Sequence, residues 1–326
     1  MPPVLQGVIT ILVGVFGCIA YFWASNWILD RVIFPAKGPH AGRNINRANL
    51  VRPWLFLFPA IFVLGLYLAY PVVGSFVRSL YSRSGDEFVG FGNYITLFNE
   101  PGFRTAVFNN FLWLLVVPAA ATSFGLAAAQ LTDRLSWGNI AKSMIFMPMA
   151  ISFVGASLIW KFVYANNADI GLINAVRDLL GADRPIDVIQ IPFWNNFFLM
   201  FILIWIQTGF AMVILSAALR GIPEETIEAA IIDGAGPFQL FFKIKVPQIM
   251  GTIVVVWTTI TILVLKVFDI VYTMTGGNFG THILPSYMMT FMFRDDGRAT
   301  AVAFVIMVIV TPVMVWNIMQ ARKELK

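Results

Sequence analysis

The stretch that decides the fold of this chain covers residues 222–247 and reads IPEETIEAAIIDGAGPFQLFFKIKVP. Pro223 suits the first position of a helix, and the acidic residues that follow it place negative charge at the positive end of the helix dipole. Gly234 suits the left-handed turn that commonly ends a helix, and Pro237 can then begin a second helix. The stretch therefore predicts a helix-turn-helix.

Both predicted helices carry apolar side chains on one face, because these residues recur at helical spacing. The apolar residues are Ile227, Ala230 and Ile231 in the first helix and Phe238, Phe241 and Phe242 in the second. Such a pair of helices is either a docking element for another protein or an amphipathic loop that packs on its own chain. Composition alone leaves both interpretations open.

Long apolar runs lie on both sides of this stretch. The chain has 326 residues, of which 59% are hydrophobic and 12% are charged, and its mean hydropathy is +0.79. These values lie outside the range of soluble globular domains. A helix needs about 20 apolar residues to cross the hydrocarbon of a bilayer. Seven runs reach this length, near residues 4–29, 54–77, 107–131, 141–163, 193–219, 248–273 and 299–320. The sequence therefore predicts an all-α integral membrane protein with about seven transmembrane helices.

The residues of the helix-turn-helix also resemble a known family. Glu228-Ala229-Ala230, Gly234 and the segment 244–247 (IKVP) follow the pattern E-A-A-x3-G-x9-I-x-L-P, with Val246 in the Leu position. This pattern is typical of the permease subunits of bacterial binding-protein-dependent ABC importers. Residues 233–239 and 222–224 resemble its carbohydrate branch, the larger permease of maltose-type importers. Residues 27–35 resemble permeases of α-glucoside importers.

The resemblance implies a role for the loop. In that family the corresponding cytosolic loop inserts into a cleft on an ATPase subunit and couples the nucleotide state to the membrane helices. The residues implied in coupling are Glu228, Ala229, Ala230, Asp233, Gly234 and Pro247. The fold implied is an ABC importer type transmembrane core with a cytosolic coupling helix-turn-helix.

The resemblance also implies partners. The chain contains no P-loop of the form G-x-x-x-x-G-K-[ST] with which it could bind ATP, so the energy for transport has to come from another subunit. The implied partners are a second homologous permease subunit, two ATPase subunits, a periplasmic solute-binding protein, the sugar that this protein delivers, and membrane lipid. ATP and Mg²⁺ are expected on the ATPase subunits. This chain is accordingly expected to bind no cofactor or metal and to be a transport subunit rather than an enzyme.

The charge distribution predicts the orientation of the chain in the bacterial inner membrane. If the loop is cytosolic, alternation of the seven predicted spans places the N-terminus in the periplasm and the C-terminus in the cytosol. The predicted cytosolic segments then hold 13 Lys and Arg residues and the outer segments hold eight, as the positive-inside rule requires. The net charge of +5 is therefore explained by topology, and no nucleic-acid partner is expected.

An additional N-terminal helix is predicted ahead of the transport core. Residues 1–52 contain the first apolar run and a linker rich in Pro, Gly and Arg, and residues 53–326 form the predicted core. We expect the first run to be a retained anchor, because no basic residue precedes it. Cys18 is the single cysteine, which excludes an intrachain disulfide.

Polar and aromatic residues near the middle of the fourth, fifth and sixth runs are candidates for sugar binding, because a sugar needs aromatic faces and hydrogen-bonding partners. The candidates are Met149, Ser152, Gln207, Thr208, Phe210, Trp257, Thr258 and Thr261. Threonine can bond its own backbone, whereas Gln207 is either a sugar ligand or an interhelical hydrogen bond. Larger permeases of the maltose type have Ser and Asn where this chain has Ile260, Val264 and Val267, so the maltose pose cannot be carried over.

Lys266 and Asp269 in the sixth run support an alternative function. An ion-coupled secondary carrier would use the two charges as a proton relay. A continuous helix starting at residue 248 would place them about 27 and 32 Å along its axis, near the outer edge of a hydrocarbon core of about 30 Å. Their i, i+3 spacing would also allow an ion pair. We therefore expect a structural pair or an outer gate.

Overall fold

The computed structural model describes residues 2–35, 41–133, 135–182 and 184–324. Within these ranges the regular structure is helical, and the β-type pairing is an isolated bridge between Tyr81 and Phe88. A helix satisfies the hydrogen bonds of its own backbone, whereas the hydrocarbon of a bilayer offers no hydrogen-bonding groups. The all-α prediction is confirmed.

The chain divides into two compact units, Met1–Gly74 and Ser75–Lys326. The helices that begin in the first unit are α1 (Pro3–Ile28), α2 (Ala41–Leu64) and α3 (Tyr70–Ser79). The predicted division after residue 52 separates an additional N-terminal helix and its linker from the transport core, and this functional division stays a prediction. Part of the predicted linker, residues 36–40, lies outside the described residues.

The first unit is held together by contacts of α2 with α1 and with the π-helical segment that follows α1, Leu29–Ile33. The hydroxyl of Tyr21 donates to the carbonyl of Leu55 at 2.9 Å. One guanidinium nitrogen of Arg52 donates to both carboxylate oxygens of Asp30, at 2.7 and 2.9 Å. A π-helical segment, Gly65–Ala69, joins α2 to α3. Pro71 explains this wide turn, because proline cannot donate to the carbonyl four residues before it.

The second unit contains the remaining helices. Those before residue 222 are α4 (Gly92–Asn99), α5 (Pro101–Thr132), α6 (Gly138–Phe146), α7 (Phe153–Val163), α8 (Leu172–Leu179) and α9 (Trp194–Arg220). Those after it are α10 (Glu224–Ile232), α11 (Pro237–Gln239), α12 (Val246–Gln248), α13 (Met250–Val264), α14 (Asp269–Thr275), α15 (Leu284–Phe291) and α16 (Asp296–Glu324).

Five helical stretches among the described residues are long and apolar enough to cross a membrane. They are Val4–Ile33, Ala41–Ser79, Pro101–Thr132, Trp194–Arg220 and Asp296–Trp316. Two further pairs, Gly138–Ala150 with Phe153–Val163 and Pro237–Gln248 with Met250–Val264, are bent by 105° and 71°. The number of spans reaches the predicted seven if each bent pair counts as one.

The core of the second unit is built around α9. α5 packs along it, and a Cβ added at Gly125 would lie 2.8 Å from the backbone nitrogen of Met212. On its α6 side, a Cβ added at Gly209 would lie 2.6 Å from the carbonyl oxygen of Ile145. Small residues therefore allow the backbones to approach closely, as expected in membranes.

Asparagines tie together the end of this core that is distant from the loop 222–247. The amide of Asn109 on α5 donates to the carbonyls of Gly280 and His282, at 2.7 and 2.9 Å. The amide of Asn195 on α9 donates to the carbonyl of Phe279 at 2.9 Å. The loop between α14 and α15 is thereby fixed to the N-terminal parts of α5 and α9.

A substitution at Gly125 tests the close approach of α5 and α9. Gly125→Val adds side-chain atoms where the backbone of Met212 leaves no room, so we expect a loss of about 1–3 kcal/mol, the usual cost of overpacking. Gly7→Val on α1 is the matched control, because a Cβ added there meets nothing within 4 Å. Thermal unfolding of both variants in detergent is the measurement. Equal unfolding temperatures would contradict the close packing.

Candidate functional site

The first half of the loop 222–247 folds as predicted, with a shift of one residue. Pro223 is the N-cap of α10, so Glu224 occupies the first helical position. At the other end the amide of Ala235 donates to the carbonyl of Ala230 at 3.0 Å. Gly234 has φ +83°, which confirms the left-handed turn. A Cβ added at Gly234 would meet nothing within 4 Å, so the backbone conformation, and not a lack of space, favours glycine here.

The second half begins at Pro237, as predicted, but it is not a regular helix. α11 continues into a π-helical segment, Leu240–Lys245, and then into α12. Pro247 explains the wide turns, because it has no N–H to donate to the carbonyl of Lys243. The helix-turn-helix is therefore confirmed, with a distorted second helix.

The apolar residues of the loop divide into two groups. Ile222, Ala230 and Leu240 are buried in the chain itself. Ile232 and Phe238 are 85% and 81% exposed. Exposed apolar side chains of this size are typical of an interaction surface. The loop thus packs on its own chain with one group, and the other group lies at the surface of the described chain. Packing on its own chain is therefore confirmed, and docking of a partner stays a prediction.

An apolar groove of about 370 Å³ separates the loop from the end of α5. It is lined by Ala127, Gln130 and Leu131 of α5 and by Pro237, Phe238, Phe241 and Phe242 of the loop. The predicted coupling residues lie mostly at the surface: Glu228, Ala229, Asp233, Gly234 and Pro247 are exposed, and Ala230 is buried.

A charged cluster joins the helices directly beneath the loop. Arg220, the last residue of α9, donates to a carboxylate oxygen of Asp133 at 2.9 Å, and Lys142 of α6 also donates to this oxygen. Ser216 donates to the same oxygen at 3.2 Å and accepts from Lys142 at 2.6 Å. Partial burial by itself would raise the pKa of Asp133, but the hydrogen bonds and charges of Lys142 and Arg220 outweigh it and hold this pKa below its ordinary value.

Sequence reasoning missed this cluster. In the sequence, Lys142 and Arg220 counted only among the charges that indicate topology. Their shared partner Asp133 lies 9 residues from Lys142 and 87 residues from Arg220, so the sequence did not reveal the cluster. Lys245 in the second half of the loop donates to the side chain of Gln130 at 3.5 Å. The end of α5 therefore contacts the chain just before the loop and again within it.

The fourth predicted span is broken at the position of two candidate sugar contacts. A short 3₁₀ turn, Met147–Ala150, ends α6, and α7 begins after Ser152 at an angle of 105°. The Ser152 hydroxyl caps α7 by accepting from the amide of Gly155 at 3.1 Å. Met149 is 40% exposed, and Ser152 is exposed. The 3₁₀ turn packs against α9.

On α9 the candidates differ in their surroundings. Gln207 is 5% exposed and forms no hydrogen bond with the described residues. Thr208 donates to the carbonyl of Ile204 at 2.7 Å and lines a cavity of about 320 Å³ together with Trp205. Phe210 is half-buried against the core. The side-chain amide of Gln207 is thus a polar group on this helix whose hydrogen bonds are not provided by the described residues.

The sixth predicted span, residues 248–273, is wrong as a continuous helix. The chain bends by 71° before α13, and α13 ends at Val264, so residues 265–268 separate it from α14. The hydroxyls of Thr258 and Thr261 bond the carbonyls of Val255 and Trp257, at 3.0 and 2.8 Å. Trp257 is partly exposed.

Lys266 and Asp269 do not form the expected pair. Asp269 is the first residue of α14, whereas Lys266 lies between the two helices, so i, i+3 helical spacing does not apply. Within the described ranges neither residue takes part in an ion pair. Lys266 follows the negative end of the α13 dipole, and Asp269 lies at the positive end of the α14 dipole, so each charge is favourable at its helix end. A Lys-x-x-Asp sequence inside an apolar run was the signal for this break.

These features define a membrane permease subunit. Its helical spans carry an exposed helix-turn-helix, and its sequence has no ATP-binding motif of its own. The chain belongs to the family of binding-protein-dependent transport system inner membrane components, whose sequence profile matches residues 121–324.

Individual relatives agree with this family. The chain is 60% identical to the alpha-glucoside transport system permease protein AglF of Rhizobium meliloti, over 99% of both chains. It is 45% identical to the osmoprotective compounds uptake permease protein GgtC of Synechocystis, over 83% of this chain and 99% of that one. Its fold resembles a chain of a bacterial alginate ABC transporter solved with its alginate pentasaccharide-bound periplasmic protein. The TM-score is 0.70 and the identity 21%, over 88% of this chain and 99% of that one.

The chain is therefore a multi-pass inner-membrane permease of an ABC importer that works with a periplasmic binding protein. It is a transport subunit and not an enzyme, and ATP hydrolysis is carried out by partner ATPases. This confirms the main functional prediction. The alternative, an ion-coupled secondary carrier, has no support from the family.

The cluster around Asp133 generates a prediction with a defined pH dependence. Asp133→Asn leaves Lys142 and Arg220 without their carboxylate, so at pH 7 we expect a loss of about 1.5–3 kcal/mol, typical of a hydrogen bond to a charged group. Because the pKa of Asp133 is lowered in the folded protein, its contribution is present above a pH of about 4 and is lost as the pH falls through the folded pKa. Unfolding temperatures in detergent at pH 7 and below pH 4 are the measurement.

Asp178→Asn serves as the control for this comparison, because Asp178 is exposed and forms no ion pair with the described residues. A difference between Asp133→Asn and the unaltered chain that stays constant from pH 7 to below pH 4 would contradict the role of the carboxylate.

Proposed function

We propose that this chain translocates an α-glucoside or a related oligosaccharide across the bacterial inner membrane. The high identity to a permease named for α-glucosides, over nearly the full length of both chains, supports this substrate class. The complex would contain a second homologous permease and two ATPase subunits, and a periplasmic binding protein would deliver the sugar. ATP and Mg²⁺ would bind to the ATPase subunits, and this chain would bind no cofactor.

The exposed surface of loop 222–247 is the observation that carries the proposal. The loop offers Ile232 and Phe238 to a partner, and Glu228 and Asp233 are exposed on the same element. A cleft on an ATPase subunit would cover the apolar side chains and hydrogen-bond the acids. Movement of the loop would reach the membrane helices through Arg220 and the carboxylate of Asp133.

The orientation follows from the same loop. With residues 222–247 on the cytosolic side, the N-terminus lies in the periplasm and the C-terminus in the cytosol. The excess of Lys and Arg in the segments then assigned to the cytosol supports this arrangement. The asparagine-tied loop between α14 and α15 lies at the opposite, periplasmic end, where the binding protein would dock.

The break at Met149 and Ser152 is the part of the chain that best fits a sugar pathway. Irregular backbone at membrane depth is tolerated where it is buried in protein or lines a water-filled cavity. Both side chains are exposed in this chain, so the break faces either the second permease or the pathway between the two. Gln207 and Phe210 on α9, and Trp257 and Thr261 on α13, would continue the pathway.

Gly234→Val tests the coupling role. A β-branched residue at φ +83° is strained by about 1–2 kcal/mol. We expect at least a tenfold loss of ATP-dependent α-glucoside uptake and of binding-protein-stimulated ATP hydrolysis in the reconstituted complex. Gly236→Val is the matched control, because Gly236 has φ −69° and equally open surroundings.

Two results would contradict the proposal separately. Full uptake and stimulated hydrolysis by the Gly234→Val complex would remove the coupling role. Failure of the unaltered complex to take up α-glucosides, despite normal stimulation of its ATPase by the binding protein, would remove the substrate assignment.

Gln207→Leu separates the two roles that the sequence leaves open. Because the amide has no partner among the described residues, we expect the variant to keep its unfolding temperature and to lose most of its sugar uptake. Thr311→Val is the control, because Thr311 lies outside the set of sugar-binding candidates and its hydroxyl is already bonded to the carbonyl of Met307. A lowered unfolding temperature of Gln207→Leu would show an interhelical hydrogen bond instead.

A further inference from the structure

The break between α13 and α14 holds two charged side chains for which the described chain provides no partner. Lys266 is exposed, although its neighbours Leu265 and Val267 are buried. The amides of Lys266 and Val267 both donate to the carbonyl of Leu263, at 3.0 and 3.1 Å. The backbone is therefore held against α13 while the ammonium group points away from the packed core.

The break lies toward the end of the sixth span that is distant from the loop 222–247. α13 has 15 residues and therefore rises about 22 Å, and Lys266 follows its end by two residues. The hydrocarbon core is about 30 Å thick. A lysine there either reaches the membrane interface or faces a water-filled cavity or a polar partner, because exposure of its charge to lipid costs several kcal/mol.

The packing of the neighbouring helices indicates where a cavity that receives this side chain would lie. α13 and α14 both pack against α9, which carries Gln207. α14 also packs against α7, the helix that begins at the other broken span, after Ser152. Two interrupted spans thus pack on one central helix, and each exposes a polar side chain at its interruption. Interruptions of this kind line cavities in membrane proteins.

We infer that Lys266 and Asp269 are sugar contacts in the translocation pathway, an inference that rests on the proposed transport of α-glucosides. The ammonium group would donate hydrogen bonds to hydroxyl and ring oxygens, and the carboxylate would accept them from sugar hydroxyls. Hydrogen bonds to charged groups are stronger than those between neutral groups. Because the two charges sum to zero, the pair suits a neutral sugar better than an anionic one.

The test uses the complete reconstituted importer with a saturating amount of sugar-loaded binding protein. Lys266→Met removes the charge and keeps an unbranched side chain, and Lys266→Arg retains the charge. For Lys266→Met we expect at least a tenfold lower maximal rate of α-glucoside uptake, with stimulated ATP hydrolysis within twofold of the unaltered complex. The number of sugars moved per ATP therefore falls. Lys266→Arg should recover most of the uptake.

Lys161→Met is the matched control, because Lys161 is an exposed lysine in the last turn of α7. It should leave uptake unchanged. Asp269→Asn should lower uptake in the same way as Lys266→Met, again with ATP hydrolysis retained. Lys266→Gln replaces Lys266→Met if the latter does not assemble with its partners.

Unchanged uptake in both Lys266→Met and Asp269→Asn would overturn the inference. An equal loss of uptake and of ATP hydrolysis would also overturn it, because it indicates a structural or gating role. The unaltered complex in the same assay reports on the proposed function: if it moves no α-glucoside, the substrate assignment fails, independently of the comparison between variants.

Discussion

In hydrocarbon, a peptide group that leaves a helix has no water with which to form hydrogen bonds, and the architecture of this chain depends on that constraint. Most of the apolar sequence meets it with long continuous helices. Among the described residues, breaks at residues 147–152 and 265–268 interrupt two of the apolar runs. A soluble protein could place such breaks anywhere on its surface. Here they have to face protein or water, and both adjoin helices that pack against α9, so the constraint that fixes the fold also supports the proposed pathway.

Helix α9 connects these breaks to the loop 222–247. Gly125 and Gly209 allow α5 and α6 to approach it so closely that the three helices cannot move independently without loss of packing. Its last residue, Arg220, is bonded to Asp133 at the end of α5. A displacement of the loop is therefore transmitted to a rigid group of helices rather than to one span. This mechanical connection suits alternating access, in which helix groups move relative to a second permease.

The sequence predicted the parts that depend on local chemistry. Apolar runs located the spans, and the glycine and prolines of the loop located its turn and both helix starts. Hydropathy could not locate the breaks, because Ser152 and Leu265 lie in runs whose average remains apolar. The charged cluster was hidden for another reason: Asp133 and Arg220 lie far apart in the chain and meet only in the fold. The same holds for Asn109 and Asn195, whose carbonyl partners lie 171 and 84 residues away.

The exposed residues of this chain differ in chemistry according to where they lie, and this difference separates two kinds of partner. In the loop 222–247 the exposed set is dominated by large apolar side chains such as Phe238, whose burial by a protein surface is favourable. The two breaks instead expose Ser152 and Lys266, polar side chains that lipid does not satisfy. A protein partner suits the first set, and a hydrated, hydroxyl-rich substrate suits the second. The proposed coupling of an ATPase to a sugar requires both surfaces, and the elements that carry them all contact the α5–α9 pair.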